Sequence, residues 1–188
     1  MKFQGAYTFD GDNDIITIAD AGDILNFTTN FSVLFWGKLD ANEETYQFAV
    51  SNWDYLLGTR DQNGWLVGFT NGILRFQGVK DSVSSWDVSG GGDLRGDGLW
   101  HLCGCVKEGT GAGSARVYVD GNEVKTGTAT ANAGYNGANQ GKRIGCRWNA
   151  ENNQSFYDGY LDEIVTFNRA LTAAEMRKWY AWATGKLV

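Results

Sequence analysis

The sequence predicts an all-β fold, a two-sheet antiparallel β-sandwich closed by one short C-terminal α-helix, and three observations predict it. Apolar residues come in short runs separated by turn residues, the patterning of strands that bury one face. The 26 glycines follow no collagen-like period and so mark many tight turns, because glycine takes positive φ without steric cost. Helical periodicity occurs once, near the C-terminus. With 43% hydrophobic and 20% charged residues in 188, the composition is that of a packed protein, and one domain over 1–188 is expected.

The elements follow in order. Ala6 to Phe9 leads through Asp10-Gly11-Asp12-Asn13-Asp14 into Ile15-Ile16-Thr17-Ile18. Further strands are expected at Phe31 to Leu39, Gln47 to Ser51, Tyr55 to Thr59, Trp65 to Thr70 and Ile73 to Gln77. Asn71-Gly72 between the last two is a type I′ hairpin signal, since both residues accept positive φ. Ser89 to Asp93 reads as a loop, followed by strands at Leu99 to Val106 and Ala115 to Val119 joined across Gly109 to Ser114. Asp120-Gly121 then turns into Glu123-Val124-Lys125. The small, polar stretch Gly127 to Gly141 reads as a long surface loop. Strands resume at Arg143 to Cys146 and Gly159 to Phe167.

The helix is expected over about 173–184. Thr172-Ala173-Ala174-Glu175 is a capping box, in which hydroxyl and carboxylate each satisfy a backbone N–H that has no helical partner. Leu171 and Met176 supply a hydrophobic staple, and Met176, Trp179, Tyr180 and Ala183 form one face that packs on the sandwich. Gly185 stops the helix.

Composition excludes several functions. A net charge of −6 argues against a partner held by phosphate neutralisation, so nucleic acid is not expected. No apolar run of membrane-spanning length occurs, and the N-terminus has no apolar signal-peptide core, so neither membrane insertion nor an export signal is expected. Cys103 and Cys105 lie two apart on one strand and cannot readily bridge each other. The three cysteines read as small buried residues, with a bridge from Cys146 to one of the others as the alternative. The one histidine, His101, sits between apolar neighbours and reads as a core residue, which leaves a nucleophilic triad without a base.

Four segments carry a resemblance: Phe9 to Asp14 entering the Ile15 strand, Asp97-Gly98-Leu99-Trp100-His101, Val117-Tyr118-Val119-Asp120-Gly121, and Gly159 to Ile164 followed by Asn168-Arg169-Ala170-Leu171-Thr172. In this order they resemble the concanavalin A-like lectin/glucanase superfamily, in its laminin G-like and pentraxin-like branch. The resemblance implies a jelly roll whose first and last strands are neighbours and whose loops at the sheet ends carry binding sites. His101-Leu102-Cys103 is similar to the start of the pentraxin signature, which Gly104-Cys105-Val106 then leaves, and no cysteine precedes Cys103 to form that family's disulfide. The paired-carboxylate strand motifs of the glucanase branch are absent. Asp162 and Glu163 alternate to opposite faces of a strand and cannot flank one bond. No enzymatic activity is expected.

Two sets of residues are candidates for sites. Asp10, Asp12 and Asp14 offer hard oxygens on a glycine-containing turn, suited to Ca²⁺. Given the first and last strands side by side, as the resemblance implies, Asp162 completes a structural calcium site; the competing reading is a turn built on Asx side chains. For glycans, which stack apolar C–H faces on aromatic rings and bond through their hydroxyls, the candidates are Trp53, Tyr55, Arg60, Asp61, Asn63 and Trp65 around one loop, with Trp86, Tyr135 and Trp148 in others. Trp36 and Trp100 are expected in the core.

The function expected is that of a non-catalytic binding module. The absent export signal suggests a bacteriophage virion surface protein, a capsid decoration or tail and fibre-associated domain, made in the host cytoplasm and contacting host glycans. Its partners are then glycans, capsid or fibre subunits, or copies of itself. The alternatives are an extracellular carbohydrate-binding module of a larger secreted protein and a structural virion element without ligand.

Overall fold

In the computed structural model, which describes residues 5–19, 25–41, 44–55, 62–134, 142–149 and 152–185, the alternating runs assemble into two six-stranded antiparallel sheets. The strands are β1 (Tyr7–Asp10), β2 (Ile16–Thr17), β3 (Asn30–Leu39), β4 (Tyr46–Tyr55), β5 (Gln62–Thr70), β6 (Ile73–Lys80) and β7 (Val83–Gly90). They continue as β8 (His101–Glu108), β9 (Gly111–Val119), β10 (Asn122–Ala129), β11 (Lys142–Ile144), β12 (Arg147–Asn149), β13 (Asn152–Gln154) and β14 (Asp158–Phe167), before helix α1 (Ala173–Ala183). The first sheet runs β1-β14-β3-β8-β9-β10 and the second β2-β11-β4-β5-β6-β7, while β12 and β13 form a separate hairpin. The first and last strands are neighbours, as expected, with Tyr7 opposite Leu161 and Asp10 opposite Asp158.

Three apolar layers result. Between the sheets lie Phe31, Val33, Phe35, Trp65, Phe69, Phe76, Cys103, Cys105 and Val117, the inward alternate residues of their strands. On the outer face of the first sheet, Leu34, Trp36, Leu102, Val106 and Tyr118 are covered by Leu171 and Met176 and by partly buried Trp179 and Tyr180. Thus the helix face and its two staple residues pack where the sequence puts them. On the outer face of the second sheet, Phe48, Trp53, Leu66 and Val79 form a third buried cluster. Arg147 of β12 lies over the Phe48 and Trp53 rings of that cluster.

The turn signals hold in detail. Asn71-Gly72 and Asp120-Gly121 all take positive φ, at 49° and 74° and at 53° and 76°. Thr172 caps α1 through its hydroxyl and Glu175 returns to the Thr172 backbone N–H. Gly185, at φ 69°, follows the C-cap.

Several expectations change. Gln47 to Ser51 and Tyr55 to Thr59 were expected as two strands; one strand, β4, runs unbroken to Tyr55, and residues 56–61 lie outside the described residues. Residues 83–90, which no apolar run announces, form β7. Gly111 to Ser114 join β9, and residues 127–129 end β10 rather than begin a loop. In β14 the alternation breaks at a bulge between Asp162 and Val165, where Glu163 takes φ 46°. All three cysteines are buried and free, which removes the bridge from Cys146.

Candidate functional site

Four of the expected glycan-binding residues are interior. Trp53 is 2% exposed, Trp65 0%, Trp86 2% and Asn63 2%. Trp65 packs between the sheets against Phe31, and its indole N–H donates to the Leu25 carbonyl. Trp86 packs on Phe31 and Phe76. Gly78 makes room for it, since a Cβ there would stand 2.2 Å from the indole. Asn63 accepts the Asp81 N–H and fixes the turn after β6. The Trp65 and Trp86 rings face the core between the sheets and Trp53 is buried in the outer cluster of the second sheet, which corrects the loop reading: polar neighbours in sequence surround strand residues whose rings are covered. Trp148 stays half-buried in β12, with the Arg143 guanidinium 5.0 Å above its ring. Arg60, Asp61, Tyr135 and the Tyr55 side chain lie outside the described residues.

The acidic turn is an Asx structure. Asp10 Oδ1 accepts the backbone N–H groups of Asp12 and Asn13, and Asp14 Oδ2 accepts the Asp10 N–H. The Asp12 and Asn13 bonds hold the Asp10 carboxyl below its usual range. Asp10 lies opposite Asp158, so Asp162 is four residues further along β14, roughly 13 Å away at strand rise. Its carboxylate accepts the Glu163 N–H instead. The four aspartates therefore do not fit one calcium ion. Among the described residues no group of three or more His, Cys, Asp or Glu is placed to hold a metal.

His101 is not surrounded by apolar groups. Nδ1 lies 2.9 Å from Asp120 and Nε2 2.9 Å from Asp97, so both ring nitrogens are engaged. The Asp120 bond, outweighing burial and aided by Asp97, pushes the pKa up to about 8. This is a charged clamp between the segment before β8 and the β9–β10 turn, not a free base.

Among the described residues, a concavity with the character of a binding site lies on the outer face of the second sheet. It is a trough of about 340 Å³ lined by Tyr46, Trp53, Gln62, Arg75, Gln77 and Arg147. Sheet geometry explains the set. Phe48, Gly68 and Arg75 form one cross-strand row and Ser51, Leu66 and Gln77 the next, so alternate residues of β4, β5 and β6 share this face. Gly68 adds no side chain between Phe48 and Arg75. The β12–β13 hairpin overhangs it, tied down by Ser51 Oγ donating to the Cys146 carbonyl and by the Phe48 N–H donating to Ser155.

Tyr46 is 44% exposed and stacks on Phe48, with Arg75 beside its ring. Arg75 forms a bidentate pair with Asp87, at 2.8 and 2.5 Å, and Gln77 donates to the same carboxylate. That pair raises the Arg75 pKa. Arg147 is held by ring faces, its guanidinium 5.4 Å from the Phe48 centroid and 5.8 Å from that of Trp53. Burial, then the neighbouring Arg75 charge, lowers its pKa. The trough thus offers one exposed ring among side chains that mostly donate hydrogen bonds. Trp53 was the one expected residue of the set. Tyr46, Arg75, Gln77 and Arg147 were missed, although polar Arg75 and Gln77 alternate along β6 with core residues, a signal for an outward face.

A second cavity of about 230 Å³, beside the start of α1, is lined by groups that pair with one another, Arg116 with Glu108 and Tyr118 with Glu123. No helix among the described residues is long and apolar enough to cross a membrane.

The Laminin_G_3 family model, described as concanavalin A-like lectin/glucanases superfamily, matches residues 10–177. Among curated proteins none matches the sequence. Solved structures are similar in fold. The CBM40 of the Ruminococcus gnavus IT-sialidase aligns at TM-score 0.74 with 9% identity, covering 93% of this chain and 95% of that one. The same module bound to α2,3 sialyllactose aligns at 0.70, with the same identity and coverage. The binding domain of botulinum neurotoxin serotype G aligns at 0.64 with 15% identity, over 94% of this chain and 42% of that one. A heptameric SAP-like pentraxin from Limulus polyphemus aligns at 0.55 with 14% identity, over 90% and 78%.

Proposed function

The chain belongs to the concanavalin A-like lectin/glucanases superfamily, and on that footing we propose that it is a non-catalytic carbohydrate-binding module whose ligand lies in the trough on the second sheet. The observation that carries the reading is the combination in that trough of the exposed Tyr46 ring with Arg75, Gln77, Gln62 and Arg147. A pyranose presents an apolar C–H face to such a ring while its hydroxyls accept from guanidinium and amide donors. The sialyllactose bound by the similar CBM40 supports glycan as the ligand class. A non-catalytic role is supported by His101, whose ring nitrogens are both engaged by carboxylates.

A glycan array probed with the full chain tests this. Binding to a defined subset is expected, and silence across the array overturns the reading. Tyr46→Ala is expected to weaken the best ligand roughly tenfold, about what an aromatic contact contributes, with the fold kept, as near-UV circular dichroism would show, since the ring is 44% exposed.

The setting we propose is a bacteriophage virion surface, with the trough facing host glycans. Three buried free thiols support folding in a reducing cytoplasm. Detection of the chain in purified particles is the expected result. Its absence from them redirects the reading to a module of a secreted protein.

A further inference from the structure

The charges around the trough do not balance. Arg75 is neutralised by Asp87, but Arg147 has no carboxylate partner among the described residues. Its contacts are two aromatic faces, and its Nε is buried without a hydrogen-bond partner. Trp53, beneath it, also buries its indole N–H without a partner. A guanidinium stays charged in any protein environment, and Arg147, partly buried with its Nε orphaned, is a cation that an anion entering the trough would pair. The residues that carry these two orphaned donors line one cavity with two glutamine side chains, and the lining includes no carboxylate. Asp87, the acid bonded to Arg75 and Gln77, is already occupied by them.

We propose that the trough binds an acidic saccharide, with the sugar's carboxylate seated on the Arg147 guanidinium and the Trp53 N–H serving an adjacent oxygen. The planar guanidinium matches a carboxylate through two parallel N–H···O bonds. Sugar contact with Tyr46 then fixes the ring, and Arg147 selects for the acid. This inference rests on the reading of the trough as the glycan site.

The test is calorimetric titration of the full chain with matched pairs: sialyllactose against lactose, a glucuronate-bearing disaccharide against its carboxyl-reduced form, and sulfated lactose. At least one carboxylated sugar is expected to bind tenfold or more tightly than its neutral partner, with affinity falling as salt rises. Arg147→Met keeps an apolar stem on Phe48 and Trp53 and is expected to abolish the difference between acid and neutral sugars. Arg147→Lys keeps the charge without the fork and is expected to retain part of it. Near-UV circular dichroism checks the fold of each variant, and the salt dependence of the unmodified chain stands if Arg147→Met does not fold. Equal affinity for acid and neutral sugars overturns the inference and leaves the glycan reading intact. Preference for sulfated lactose alone overturns the carboxylate assignment. Failure of every sugar on the array overturns both readings.

Discussion

Two carboxylates on one imidazole make His101 the residue whose protonation most clearly supports the fold. Its side chain is 12% exposed and its pKa is raised from 6.5 to about 8, chiefly by the bond to Asp120. A folded-state value above the unfolded one means that the charged clamp contributes fully below about pH 6.5 and is lost as pH rises through 8. The raise corresponds to about 2 kcal/mol. We expect Tm to fall across pH 6.5 to 9, and Asp120→Asn to flatten that profile; a Tm indifferent to pH in this window contradicts the assignment. The sequence neighbours of His101 could not reveal this clamp. Asp97 lies in the segment before the strand and Asp120 on the far side of a hairpin, and only the strand pairing of β8 with β9 brings them to one ring.

At the scale of elements, α1 was the most legible because its signals are local. Thr172→Ala removes the cap and is expected to cost about 1 kcal/mol, read as a lower midpoint in urea at unchanged slope. Glu175 completes the box and is drawn down to about 2 by Arg169 first and Thr172 second. Its contribution is therefore present above about pH 4.5 and fades as pH falls toward 2, so part of the acid sensitivity should disappear in Glu175→Gln. Hairpins marked by Asn71-Gly72 and Asp120-Gly121 were legible for the same local reason. β7 was not: Val83-Ser84-Ser85-Trp86-Asp87-Val88 carries few apolar residues, and its place in the sheet comes from pairing with β6. Trp86 thus read as a loop aromatic, although Gly78 on the neighbouring strand is the residue that accommodates it.

Over the whole molecule, the interior keeps its three thiols from each other and from solvent. Burial pushes Cys103 and Cys105 well up, and Cys146 up to about 11. Ellman's reagent is expected to find no thiol in the native protein and three in denaturant. A fast-reacting native thiol would show that the layers open. The two-sheet plan was legible from alternation, but the trough was not. Alternation shows which residues share a face, whereas Tyr46, Arg75 and Arg147 come from β4, β6 and β12 and meet only once the register is set and a hairpin folds over the sheet. The expected tryptophans failed for the converse reason: a ring beside polar residues in sequence can still face the core.

The β12–β13 hairpin divides labour within the chain. Both of its flanks are anchored to β4 by bonds to backbone carbonyls, at Cys146 and Ser155, and these anchors are indifferent to which side chains the hairpin carries. Under the proposed reading, the hairpin's share of the trough, Arg147, can change while the anchors and the sandwich stay fixed. Grafting a different turn between those anchor points offers a route to altered recognition without re-engineering the core.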